Sequence, residues 1–112
     1  MDKPTPKERV QHVLDSITSI RSFMEHITFE MFSSDKLLQN GVKYEFLIIG
    51  EAIRHIDQDI LDKYEYPWHI PRSFRNYIAH HYHGIKIELI FLATSDLHDL
   101  ENVMMLIRRN EF

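Results

Sequence analysis

Cysteine is absent from this chain of 112 residues, which excludes a disulfide framework, a thiolate metal site and a cysteine nucleophile. Three glycines and four prolines are too few for the many turns of a sandwich or barrel, so the composition leans helical. No apolar run approaches the roughly 20 residues that cross a bilayer, and the opening MDKPTPKERV lacks the apolar stretch of a signal peptide, so a cytoplasmic protein without membrane association is expected. Excess positive charge is missing too. Thirteen Lys and Arg against 17 Asp and Glu give a net charge of −4, so any nucleic-acid contact must be local rather than spread over the surface. What is present is 44% hydrophobic and 12% aromatic side chains, enough for one core in one domain. Residues 1–5 read as a flexible N-terminus and 6–112 as a single helical domain.

Four amphipathic segments can be placed by spacing. Thr5-Pro6-Lys7-Glu8 combines a threonine cap, a proline at the first helical position and a glutamate three residues after the cap, a capping-box signature. Val10, Val13, Leu14, Ile17, Ile20, Met24 and Ile27 then recur at helical steps to about residue 27. The connector from Thr28 to Ser34 carries Phe29, Met31 and Phe32 and is expected to fold back on the core. Ser34 or Asp35 can cap a second helix, whose stripe Val42, Phe46, Ile49, Ile53, Ile56 and Ile60 predicts one helix to about residue 60. Gly41 and Gly50 lie inside it, where a close approach is more plausible than a break. An aromatic loop over 62–68 leads to a third helix, roughly Pro71 to His83, with Gly84 as its stop. A fourth begins near Lys86 and carries Ile90, Ala93, Leu97, Leu100, Met104 and Ile107, with Arg108 and Arg109 suiting its C-terminal dipole. An all-α antiparallel bundle of about four main helices follows.

At about 100° per residue, the third helix separates into two arcs. Phe74, Tyr77, Ile78 and His81 form a buried stripe, and His81 reads as a core residue. Arg72, Arg75, Asn76, His80 and His83 fall on the other arc, a pre-formed anion site with almost nothing acidic in it. Asn76 and His80 are four apart and can touch, while Arg75 can bind one oxygen of a phosphate as the imidazole reaches another. The run His80-His81-Tyr82-His83 does not read as a metal site, because a helix points its histidines in different directions and no carboxylate completes a ligand set. No cofactor is called for.

The segment Arg75-Asn76-Tyr77-Ile78-Ala79-His80-His81-Tyr82 resembles the signature of the HEPN superfamily, and its Arg-x4-His-x-Tyr form resembles the HepT branch, toxins of prokaryotic toxin–antitoxin pairs. Ile48-Ile49-Gly50-Glu51-Ala52 and Pro67-Trp68-His69-Ile70 are similar to the segments that precede the catalytic helix in these proteins, and the likeness covers roughly residues 6–107. The resemblance implies a HEPN-like bundle and a metal-independent endoribonuclease that acts on RNA as a homodimer. It further implies an MntA-like nucleotidyltransferase antitoxin that transfers AMP from ATP to Tyr82, the tyrosine of the motif.

Elementary chemistry agrees with that activity. RNA carries its own nucleophile, the 2′-hydroxyl, so an enzyme need only move protons and stabilise a phosphorane. His80 suits the acid/base role and Arg75 the phosphate, with Asn76 orienting and Arg72 and His83 in support. One helix supplies one histidine; a two-fold interface supplies the second. Helical rotation brings Tyr82 back to nearly the line of Arg75, so AMP on its phenol would occupy the site of an RNA phosphate. Two other readings compete: a non-catalytic HEPN module that binds nucleotide or RNA as partner of a nucleotidyltransferase, and a plain structural bundle in which Arg72 and Arg75 pair with acidic residues elsewhere.

Overall fold

The first helix begins where its capping chemistry asks. In a computed structural model, which describes residues 3–112, the Glu8 amide donates to Thr5 Oγ1 at 3.1 Å and the Thr5 amide donates to Glu8 Oε1 at 3.0 Å. Both arms of the capping box are therefore closed. The expected flexible N-terminus falls partly on residues 1–2, which lie outside the described residues. Helix α1 (Pro6–Met24) is followed by α2 (Phe29–Ser33), α3 (Lys36–Arg54), α4 (Gln58–Leu61), α5 (His69–His80), α6 (Ile87–Thr94) and α7 (His98–Glu111). Among the described residues there is no strand and no helix long and apolar enough to cross a membrane.

The four longest helices, α1, α3, α5 and α7, are the four main helices of the periodicity. α1 packs on α3 and α7, and α3 also carries α5. Val13, Ile17 and Ile20 of α1, Val42 and Ile53 of α3, Ile78 of α5, and Met104 and Ile107 of α7 are fully buried. The result is an all-helical bundle with its core along the α1–α3 contact. The connector folds back as expected, as α2, with Phe32 buried against Phe91 of α6 at 5.7 Å between ring centroids.

Each of the four expected helices differs from the spacing at one end or more. α1 stops at Met24 rather than near 27: Glu25 turns to extended backbone (φ −60°, ψ 121°) and His26 then takes a left-handed conformation (φ 60°), one that histidine tolerates better than most side chains. The second helix is not continuous to 60. It ends at Arg54, and Asp57 caps the separate α4 by accepting from the Asp59 amide at 3.1 Å. The fourth is likewise divided at 95–97 into α6 and α7. The third starts at His69, with Pro71 in its first turn, and ends at His80. Residues 81–84 form a turn in which the Gly84 amide donates to the His81 carbonyl at 2.8 Å, and Gly84 does not adopt positive φ.

Gly50 explains how α5 seats on α3. A Cβ built there would fall on the Arg75 Cβ, 2.7 Å from its Cγ and 3.0 Å from the Pro71 carbonyl oxygen. The missing side chain thus lets the stem of Arg75 lie directly on the α3 backbone. At Gly41 an added Cβ would meet only the Phe23 ring, at 3.6 Å, an ordinary contact.

Candidate active site

Arg72, Arg75 and Asn76 come together on α5. With Gly50, Arg54, Ile56 and Gln58 they line a cavity of about 460 Å³. Arg72 Nη2 donates to Gln58 Oε1 at 2.8 Å, and Arg75 Nη1 donates to the side-chain oxygen of Asn76 at 3.3 Å. Asn76 thus touches Arg75 rather than His80. The Nε–H groups of both arginines are closed off from solvent without an acceptor among the described residues, so the two guanidinium groups carry more donor capacity than the protein satisfies.

The site is not free of acid. Glu51, on α3 one residue beyond the Gly50 crossing, brings Oε2 to 3.5 Å from Arg75 Nη2 and 3.7 Å from Arg54 Nη1. Its Oε1 lies 2.9 Å from His55 Nε2. The hydrogen bond from His55 is the largest cause holding the Glu51 carboxyl below its ordinary value. The charges of Arg75, His55 and Arg54 add to it, and burial opposes them. Glu51 also lines a second concavity, of about 390 Å³, on the other side of Arg75, together with Arg9, His12 and Ala79. The wheel could not find this partner, because it lies on a different helix; its one sequence signal was the Gly50-Glu51 pair inside the second periodic segment.

His80 is the last residue of α5, exposed, and its imidazole is hydrogen-bonded to none of the described residues. Arg75 and His80 are five positions apart, about 140° around a helix, at opposite margins of the polar arc. Two residues placed on the helix by spacing leave it. His81 is exposed beyond the helix end, not in the core, although its ring stays 5.4 Å from that of Tyr77. His83 is exposed in the turn, not on the polar arc, with its ring 5.6 Å from that of Tyr82.

Tyr82 is a further correction. With α5 ended at His80, helical rotation no longer returns it to the line of Arg75. It is half-buried and lines a separate cavity with Lys43 and His83. Lys43 Nζ donates to the Tyr82 carbonyl at 3.1 Å and stands over its ring at 4.7 Å. Among the described residues, no group of three or more His, Asp or Glu side chains is gathered as a metal-ligand set.

Comparison with known proteins finds relatives that span most of the chain. The chain is 28% identical over 110 residues to a Methanocaldococcus jannaschii protein named "Putative RNase", covering 93% of this chain and 91% of that one. A second protein of that organism, also named "Putative RNase", is 30% identical over 81% of this chain and 84% of its own. The "Probable ribonuclease HepT" of Thermococcus cleftensis is 30% identical over 84% of this chain and 86% of its own. No solved structure matches. The model of the family described as ribonuclease HepT-like matches residues 13–107, and the chain belongs to that family.

Proposed function

We propose that the protein is the toxin of a prokaryotic toxin–antitoxin pair, a metal-independent endoribonuclease that cleaves RNA at the cleft of a homodimer. The observation that carries the reading is the cavity bordered by Arg72, Arg75 and Asn76, whose guanidinium groups keep unmet donors in a chain of net charge −4. A phosphodiester supplies the acceptors that these donors lack. His80, exposed at the end of the same helix, is the proton-transfer group within reach of a bound strand.

The reaction begins when an imidazole takes the proton of the 2′-hydroxyl and the oxygen attacks the adjacent phosphorus. Arg75 holds the charge of the phosphorane, and a second imidazole protonates the departing 5′-oxygen. The products are a 2′,3′-cyclic phosphate and a 5′-hydroxyl. The wide angle between Arg75 and His80 on one helix supports a cleft built from two copies, in which each partner's His80 faces the other's Arg75 and both imidazoles reach one scissile bond.

Neutralisation is by an MntA-like nucleotidyltransferase that uses ATP. The Tyr82 phenol oxygen attacks the α-phosphorus, the bond from that phosphorus to the bridging oxygen breaks, pyrophosphate leaves, and the phenolic proton is released. With Tyr82 off the Arg75 line, AMP acts from the end of α5, beside His80, by adding bulk and charge where RNA must pass.

The test is cleavage of labelled RNA by wild type, Arg75→Ala and His80→Ala, with light scattering to read the dimer. Each variant should lose about 10²–10⁴-fold in rate and stay folded, His80→Ala with an unchanged melting temperature and Arg75→Ala with a lowered one, because the Arg75 stem packs at Gly50. Equal cleavage by all three would overturn the catalytic assignment, and RNA binding without cleavage by wild type would favour the non-catalytic partner reading. Tyr82→Phe should cut RNA like wild type, yet gain no AMP and resist the transferase; mass spectrometry that finds AMP on Tyr77 or Tyr64 instead would contradict the assignment.

A further inference from the structure

Outside the Arg75 site, one side chain is held in an electrostatically costly place. Lys43 of α3 is only 8% exposed, and no carboxylate among the described residues lies within ion-pair distance of it. Its direct contacts include the Tyr82 carbonyl at 3.1 Å and the face of the Tyr82 ring at 4.7 Å, both neutral. Burial is the main cause holding its ammonium below the ordinary lysine range, and the charge of Lys36 adds to it. A buried cation of this kind is normally paired. An ammonium has three donors, and the carbonyl takes one.

Lys43 lines a cavity of about 410 Å³ between the start of α3 and the turn after α5. Lys36, Ser34, His83 and Tyr82 share the lining, and no acidic side chain is among it. In a chain with more carboxylates than cations, this is a concave surface of one sign. At Arg75, by contrast, a carboxylate is at hand, with Glu51 Oε2 3.5 Å from Nη2.

We propose that this cavity is a binding site for the phosphate of a nucleoside monophosphate group, with Lys43 as its anchoring cation and Lys36 and His83 at its rim. The group has two sources, a free nucleotide or an AMP carried on Tyr82, and the second rests on the modification reading given above. In either case two oxygens of the phosphate take the unused donors of Lys43, and the ammonium gains the counter-charge that the protein withholds.

The experiment is a titration of the full-length, isotopically labelled protein with AMP, with inorganic phosphate, and with adenosine at matched ionic strength, followed by NMR. AMP and phosphate should shift Lys43, Tyr82 and His83 saturably, whereas adenosine should not. Lys43→Gln should weaken AMP binding at least tenfold, and Lys43→Arg should retain it. Shifts confined to the Arg75 region, or unchanged affinity in Lys43→Gln, would overturn the site; if Lys43→Gln fails to fold, the wild-type shift map decides. Mass spectrometry after incubation with the transferase and ATP separates the sources. Binding at Lys43 with no AMP on Tyr82 assigns the site to free nucleotide and removes the modification reading. AMP on Tyr82 with no phosphate binding at Lys43 removes the site and leaves that reading standing.

Discussion

Arg75 and Tyr82 belong to one sequence motif, yet different physics holds them. Arg75 is fixed by packing: its stem lies on the bare backbone at Gly50, and its head meets Glu51 and Asn76. Tyr82 sits past the end of α5 in a turn, fastened to α3 through its carbonyl and ring by Lys43. The first arrangement holds a guanidinium group in one place. The second leaves a half-buried tyrosine on a segment outside any helix. A motif that reads as one helical face is thus divided between the helix and the turn beyond it.

The packing side of this contrast breaks most severely at Gly50. Gly50→Leu should cost about 1–3 kcal/mol by overpacking, with a fall in melting temperature of roughly 4–8 °C per kcal/mol, and should abolish RNA cleavage by displacing Arg75. Gly41→Ala is the matched control, since its new Cβ meets only ordinary contact. It should raise stability by up to about 1 kcal/mol through helix propensity. Thermal melts of both variants check the pair; equal and small shifts would show that α5 does not rest on Gly50.

A smaller effect is expected at Glu51. Its carboxyl is held below the ordinary value of 4.5, first by the His55 hydrogen bond and then by the charges of Arg75, His55 and Arg54. A lowered folded-state value means that the carboxylate stabilises the fold above about pH 4.5 and that this contribution is lost as pH falls through the folded value. Glu51→Gln should therefore melt lower than wild type near neutrality, by under about 1 kcal/mol for so exposed a group, and the gap should close in acid. Its RNA cleavage should fall less than that of Arg75→Ala. A gap that widens in acid would contradict the assignment.

The smallest effect is expected at His81. The helical wheel assigns it to the core, whereas the early end of α5 leaves it exposed. His81→Ala should change stability by no more than about 0.5 kcal/mol, and a larger loss on thermal denaturation would restore the buried assignment.

These differences mark what spacing can and cannot carry. The apolar stripes of α1, α3 and α7 and the capping box at Thr5 were legible, because each is set by residues within a few positions of one another. The breaks at 55–57 and 95–97 were not. Ile56 and Leu97 are buried in the interruptions themselves, so the periodic signal passes through turns that preserve burial; Asp57 and the Ser95-Asp96 pair were the available signs. The end of α5 was hidden because four polar or aromatic residues in a row suit a helix or a turn equally. Arg72, Arg75 and Asn76 were legible as a group, while Glu51 and Lys43 were not, since only the crossings of α3 with α5 and with the turn beyond it bring them in.

In the proposed reaction the RNA supplies its own nucleophile and the protein supplies only proton transfer and charge. The most direct test is the chemistry of the ends produced when wild-type protein cuts a defined RNA in the presence of a chelator, read by mass spectrometry of the fragments. Undiminished cleavage with 2′,3′-cyclic phosphate and 5′-hydroxyl ends is expected. Fragments that carry 3′-hydroxyl and 5′-phosphate ends, or cleavage that stops when divalent ions are removed, would contradict it.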